Sequence, residues 1–253
     1  MSEQPAIQPL AEAGPRLHGD TLADHYLVPD RAAPWLRVNF VASLDGAVEV
    51  AGLSAGLSNP ADRHLFGVLR MQCDAVLVGA GTLRSEDYGP ARMGEPQRGW
   101  RLERGYAPHP TLVVVSRSLD LDPDRPSFAG APARAIVLAP ESAPADRRDA
   151  LTATTDVVTA GDDLVNLPTA LSLLHRRDLR HILCEGGPHL FGELAAADLV
   201  DEVCLTVAPV LAGPGAGRIT AGPPGPLRTM TLHHVLTGDG ALFLSYRRAC
   251  DKP

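Results

Sequence analysis

Along this chain, strand-like runs of apolar residues alternate with helix-like ones. Leu36-Arg37-Val38-Asn39-Phe40-Val41 alternates apolar and polar positions as a half-buried strand does. Asp45-Gly46 then marks a turn before a second short run, Ala47-Val48-Glu49-Val50. Asn59-Pro60 opens a helix predicted over 60–72, in which Leu65, Val68 and Leu69 recur at helical spacing. Pro60 falls in its first turn, where a missing N–H costs nothing. Residues 74–78 form a short apolar run ending in Gly79-Ala80-Gly81-Thr82, the pattern of a buried strand whose C-terminal end meets a ligand.

Further buried strands are predicted over 111–116, 135–139, 156–159 and 180–184, with a helix near 167–176. The stretch 88–110, dense in Gly, Arg and Pro, reads as a long surface loop. Beyond it come a helix over 188–197, a strand over 200–208 and a Gly/Pro-rich loop. Two final strands, 230–236 and 241–247, are joined by Thr237-Gly238-Asp239-Gly240 as an antiparallel hairpin. The pattern predicts one α/β domain over 34–253: a mostly parallel central sheet flanked by helices, with the C-terminal hairpin adding antiparallel edge strands. Residues 1–33 lack periodicity and read as a loosely ordered N-terminal extension, draped on the domain or partly disordered.

Composition narrows the partners. With 45% apolar residues among 253 and only 4% aromatics, the chain suits helices packed on a sheet of small aliphatic side chains. A net charge of −7 argues against a nucleic-acid or anionic-membrane surface, since either needs clustered positive charge. It still allows a small phosphorylated ligand held by a few arginines and helix N-termini. The cysteines at 73, 184, 204 and 250 are far apart, with no Cys-x-x-Cys pair, so neither a metal site nor a disulfide framework is expected. A reducing, cytoplasmic setting is the expectation, with neither an export signal nor a long apolar span in view.

Two glycine turns carry the candidate chemistry. Gly79 and Gly81 let backbone N–H groups approach a ligand, although a tight structural turn needs the same glycines. Cys184-Glu185-Gly186-Gly187-Pro188-His189-Leu190 runs from a buried strand through two glycines into a helix, which makes an anion cradle: free N–H groups and the positive helix end would face a phosphate. A plain strand-to-helix turn accounts for the glycines but not for Glu185, an acid at the end of an apolar strand, for which salt-bridge or capping duty is the alternative. Two such turns in one chain fit a dinucleotide, and their order differs from the G-x-G-x-x-G fingerprint of an ordinary Rossmann domain.

Val-Asn-Phe-Val-Ala-Ser-Leu-Asp-Gly (38–46), Leu-Arg-Met-Gln-Cys-Asp-Ala-Val-Leu-Val-Gly-Ala-Gly-Thr (69–82), Leu-Cys-Glu-Gly-Gly-Pro (183–188) and Leu-Val-Asp-Glu-Val-Cys-Leu-Thr-Val-Ala-Pro-Val-Leu-Ala-Gly (199–213) resemble the riboflavin-pathway pyrimidine reductase family. The resemblance covers about residues 36–247 and implies a single dihydrofolate-reductase-like domain, usually dimeric. Such a domain uses NADPH to reduce the ribose of 5-amino-6-(5-phosphoribosylamino)uracil to a ribityl chain. The zinc-deaminase motifs found in fused members are absent here. By position, Ala42 and Thr82 would line the nicotinamide, Ser116 would approach the adenosine, and the stretch from Gly186 and Gly187 through Pro188, His189 and Leu190 to Glu193 would hold the pyrophosphate. Ser54, Arg70, Arg92 and Glu185 match substrate-binding positions, with Glu185 also the candidate catalytic residue. Arg117, next to Ser116, is a candidate for the 2′-phosphate.

Three departures bear on the substrate: Asn39 stands where many members have lysine, Gly56 where they have tryptophan, and Glu86, a cofactor-side position, where they have aspartate. Asparagine cannot supply the proton that lysine can, which leaves Glu185, Glu86 or a water as candidate donors. A dihydrofolate or other pterin reductase, and a nucleotide-binding module without catalysis, are the alternative readings.

Overall fold

The computed structural model describes residues 14–86 and 88–249. Its strands are β1 (Trp35–Ser43), β2 (Ala75–Gly79), β3 (Thr111–Val115), β4 (Ala135–Ala139), β5 (Thr155–Thr159), β6 (His181–Cys184), β7 (Glu202–Ala208), β8 (Met230–Gly238) and β9 (Ala241–Arg248). They form one nine-stranded sheet in the order β5-β4-β3-β2-β6-β1-β7-β9-β8. Strands β1 to β7 pair in parallel, while β9 is antiparallel to both β7 and β8. This is the expected α/β sheet with its C-terminal hairpin.

The helices are α1 (Asp20–Asp24), α2 (Pro60–Met71), α3 (Ala80–Ser85), α4 (Glu95–Glu103), α5 (Pro126–Ala129), α6 (Ala145–Thr152), α7 (Leu167–His175) and α8 (Pro188–Ala196). They cover both faces of the sheet. Strand β2 is buried on both sides and divides its side chains by the period of two: Val76 and Val78 join the core under α1, α2 and α4, while Ala75 and Leu77 join the core under α7 and α8. That double burial is why the central strands read as continuous apolar runs.

Strand order reverses at β6. The chain runs outward through β2, β3, β4 and β5, returns to place β6 between β2 and β1, then continues to β7 on the far side of β1. Open α/β sheets bind ligands at such a switch point, outside the carboxyl ends of the strands. Glu185 and the two glycines follow β6 directly.

The structure departs from the sequence reading at several elements. The stretch 88–110 is not one surface loop, because it contains α4, with Pro96 in its first turn and Trp100 and Arg101 buried. Arg101 is fully buried, and its Nη1 donates to the carbonyls of Arg70, Met71 and Cys73 at 3.2, 2.9 and 2.8 Å. A charged residue therefore sits where an amphipathic pattern would place an apolar one, and Gly99 further weakens the helical signal. Residues 47–50 form no strand, only a bridge between Val50 and Leu53, since Ser43 ties this turn back through Ala47. The helices α3, α5 and α6, of six, four and eight residues, are too short to show periodicity.

Of the expected extension, residues 1–13 lie outside the described residues. From Asp20 onward the chain is docked: Leu22, Ala23 and Tyr26 lie in the same core as Leu65 and Leu69. Gln72 Nε2 donates to the Ala23 carbonyl at 2.9 Å. Apolar anchors spaced among polar residues hold this segment without giving it a helical pattern long enough to read.

Candidate active site

The cavity at the switch point has a volume of about 550 Å³. Helix α2 supplies one wall. Its Asn59 cap accepts from the Asp62 N–H at 2.8 Å, which fixes the helix start. Leu65, Val68 and Leu69 then face the core, while Asp62, Arg63, Phe66 and Arg70, at helical spacing, face the cavity. The turn after β6 supplies the opposite wall.

Across this space Arg70 and Glu185 form a two-pronged ion pair, Nε to Oε1 and Nη2 to Oε2, both at 2.6 Å. Glu185 keeps only 3% of its side chain exposed, so its charge depends on this partner. Burial pulls the Arg70 pKa down, and the neighbouring Glu185 carboxylate more than offsets this, leaving it above the ordinary value. The guanidinium also sits over the Phe66 ring, its Cζ 4.3 Å from the ring centroid. The Tyr88 hydroxyl also donates to Glu185 Oε2. The carboxylate is thus an acceptor clamped from two sides.

Next to it, Gly186 adopts φ +100°, the left-handed region that favours glycine, and a Cβ there would lie 3.0 Å from the Phe40 ring. A Cβ on Gly187 would come within 2.7 Å of Thr82 Oγ1. Gly187 caps α8 with no side chain, and among the described residues the N–H groups of His189 and Leu190 have no protein acceptor. A glycine cradle at an uncapped helix N-terminus fits the pyrophosphate of a dinucleotide. The first glycine turn is a strand running straight into α3, and the Gly79 N–H donates to the Gly186 carbonyl at 2.8 Å, which joins the two turns.

The structure brings some predicted residues together and not others. Ser54, Arg70, Thr82, Glu86, Glu185, Gly187 and Pro188 line the cavity. Glu86 Oε1 accepts from Ser54 at both N–H and Oγ, at 3.1 and 3.0 Å. Ala42 is buried, and Val41 lines the cavity in its place. Leu190 is buried in the core beneath the cradle, while Gly81 and His189 are exposed. Arg92 is exposed and turned away from the cavity, donating to the Gly130 carbonyl at 3.0 Å. Ser116 is buried beyond β3, its Oγ accepting from the Leu119 N–H at 3.0 Å, with Arg117 exposed beside it.

Sequence reasoning missed Tyr88, Phe66, Asp62 and Arg63. Asp62 and Arg63 were visible as polar positions of α2 beside the apolar stripe of Leu65, Val68 and Leu69, whereas Phe66 reads as another apolar residue of the helix. Tyr88 carries no such signal, because it lies in an irregular segment and reaches Glu185 only through the fold.

These features define an α/β protein with an anion cradle and a clamped carboxylate at the sheet's switch point. The RibD C-terminal domain family matches residues 34–244, and the chain belongs to that family. It is 30% identical over 180 residues to the 2,5-diamino-6-ribosylamino-4(3H)-pyrimidinone 5′-phosphate reductase of Methanothermobacter thermautotrophicus, covering 71% of this chain and 80% of that one. The protein of the same name from Archaeoglobus fulgidus is 29% identical over 181 residues, covering 71% and 82%. A solved pyrimidine reductase-like protein from Corynebacterium diphtheriae superposes with a TM-score of 0.76 at 26% identity, over 86% of this chain and 93% of that one. The family is one of oxidoreductases, and the expected resemblance holds.

Proposed function

We propose that this chain is an NADPH-dependent reductase of a ribosylaminopyrimidine 5′-phosphate, converting the ribose to a ribityl chain. The observation that carries this reading is the clamped Glu185 at the end of β6, one residue from the uncapped α8 cradle. The names of the archaeal relatives point to the 2,5-diaminopyrimidinone as the base, and 5-amino-6-(5-phosphoribosylamino)uracil differs from it at one ring substituent.

When bound, NADPH supplies a hydride to the sugar carbon, which the open-chain form presents as an imine or aldehyde. The chain's own residues do the rest. Gly187 and the first turn of α8 hold the pyrophosphate, with Gly186, Gly79 and Gly81 keeping the approach clear and Thr82 beside the reactive end. Ser116 and Arg117, at the end of β3, take the adenosine side. Glu185, its charge fixed by Arg70, accepts hydrogen bonds from substrate hydroxyl or amino groups. Arg63, two helical turns from Arg70 on the cavity face of α2, supplies phosphate-binding charge that the displaced Arg92 does not. Phe40 and Phe66 exclude water from the centre of the cavity.

Family membership favours this substrate over dihydrofolate or another pterin, and over a module without turnover. The test is NADPH oxidation by the purified chain with each ribosylaminopyrimidine phosphate in turn. Turnover of either supports the reading, and NADPH binding without turnover of either overturns it. We also propose a homodimer. The edge strand β8 exposes Leu232 and unpaired backbone groups that a partner would cover, and a monomeric mass in light scattering at micromolar concentration would refute it.

A further inference from the structure

Reduction of a carbon–nitrogen double bond consumes a proton as well as a hydride. The chain holds a single lysine, Lys252, and among the described residues no lysine, histidine or cysteine lines the cavity. Of the four carboxylates that line it among the described residues, Glu49 is exposed to solvent and the other three are committed as acceptors. Glu185 accepts from Arg70 and Tyr88, and Asp62 accepts from the Ser58 and Thr206 hydroxyls, each at 2.6 Å. Glu86 accepts from Ser54. Arginine does not release a proton in a protein. Among the partly buried groups of the cavity wall Tyr88 is the proton carrier left: a phenol hydrogen-bonded to Glu185, with Arg70 Cζ 5.4 Å from its ring centroid.

We propose that Tyr88 is the general acid of this site: with substrate bound its hydroxyl turns from Glu185 to the nitrogen of the open-chain imine and gives it the phenolic proton as the sugar carbon takes the hydride. The inference rests on the reductase reading above. The carbon–hydrogen bond forms with the electron pair of the hydride, the π pair of the C=N bond moves to nitrogen, and nitrogen takes the phenolic proton. The phenolate left behind faces Arg70 and Glu185, a pair of no net charge, and regains its proton from water. Asn39, also on the cavity wall, can donate a hydrogen bond but not a proton.

Tyr88→Phe removes one oxygen and tests the assignment. Expected are a fall in kcat of at least about 100-fold, the usual scale for a lost general acid, and loss of the basic limb of the kcat pH profile. NADPH affinity, read by fluorescence titration, stays within about twofold, because no cradle contact changes. A second readout needs no turnover: the 295 nm absorbance difference between the wild-type chain and Tyr88→Phe isolates the Tyr88 ionisation. The other three tyrosines are common to both proteins and cancel in the difference. The midpoint of that difference is expected to coincide with the basic limb of activity. A fluorinated tyrosine at 88 keeps the shape and acidifies the phenol, so it should move both to lower pH together. Wild-type turnover with an unimpaired Tyr88→Phe, a change confined to KM, or a basic limb that ignores fluorination overturns the assignment alone. No turnover by the wild-type chain overturns it together with the reductase reading.

Discussion

Replacing Glu185 by glutamine keeps the side chain's size and removes its charge. In the native chain both oxygens accept from the Arg70 guanidinium at 2.6 Å, and one also accepts from Tyr88. Glutamine can offer one oxygen, so at least one guanidinium N–H faces an amide donor instead. Removing one member of a buried ion pair costs about 3–5 kcal/mol. Here glutamine retains a neutral hydrogen bond and Arg70 keeps 21% of its side chain exposed, which brings the cost to about 2–3 kcal/mol. For a chain of this size that is a fall in Tm of roughly 4–12 °C, within the stability of an ordinary domain, so the variant folds. The substrate donors that Glu185 accepts lose a charged partner, which lowers kcat/KM by about tenfold or more while NADPH affinity stays nearly unchanged. Urea unfolding and steady-state kinetics on the same preparation measure both effects. Arg70→Met completes a double-mutant cycle, in which the double variant should lose less stability than the sum of the singles. Full activity with an unmoved unfolding midpoint would refute the clamp as a functional device.

Gly187→Ala places a Cβ against Thr82 Oγ1 in the cradle, and calorimetry should show NADPH binding weakened by about tenfold, or 1.4 kcal/mol; unaltered affinity would remove Gly187 from the cofactor site. Arg117→Ala should lower the preference for NADPH over NADH in fluorescence titration, and a retained preference would exclude this arginine from the 2′-phosphate site. His234, packed against Tyr26, His25 and His233, is pushed down to about 4, by burial first and then by the neighbouring histidines. Its unfolded value is about 6.5, so between these values the unfolded chain binds more protons, and stability present above about pH 6.5 declines as pH falls toward 4. His234→Gln should flatten that decline in urea unfolding across the same range, and an identical slope in both proteins would contradict it.

Much of this architecture was legible from local pattern. Strands β2, β3, β4 and β6 are short apolar runs ended by Gly, Ser, Pro or Glu, and burial on both faces leaves no polar alternation to confuse them. Helix α4 was not legible, because its stability comes from the buried Arg101 tying three carbonyls near the end of α2, a contact made between distant segments. The cradle at Gly186-Gly187 and the acid before it could be read from the strand-to-helix junction alone. The clamp could not, since Arg70, Tyr88 and Glu185 are far apart in sequence and meet only because β6 inserts beside β2. Arg92 shows the converse: a residue placed by motif position, whose side chain the fold turns away toward Gly130.

The central claim is the reaction itself, and the most direct measurement compares kcat/KM for NADPH oxidation with the two ribosylaminopyrimidine phosphates and with dihydrofolate, followed by the mass of the product. The account predicts turnover of a ribosylaminopyrimidine phosphate to a product heavier by two hydrogen atoms, with dihydrofolate at least about 100-fold poorer, a difference of about 2.7 kcal/mol in transition-state binding. Efficient reduction of dihydrofolate with no reaction of either ribosylaminopyrimidine phosphate would contradict it.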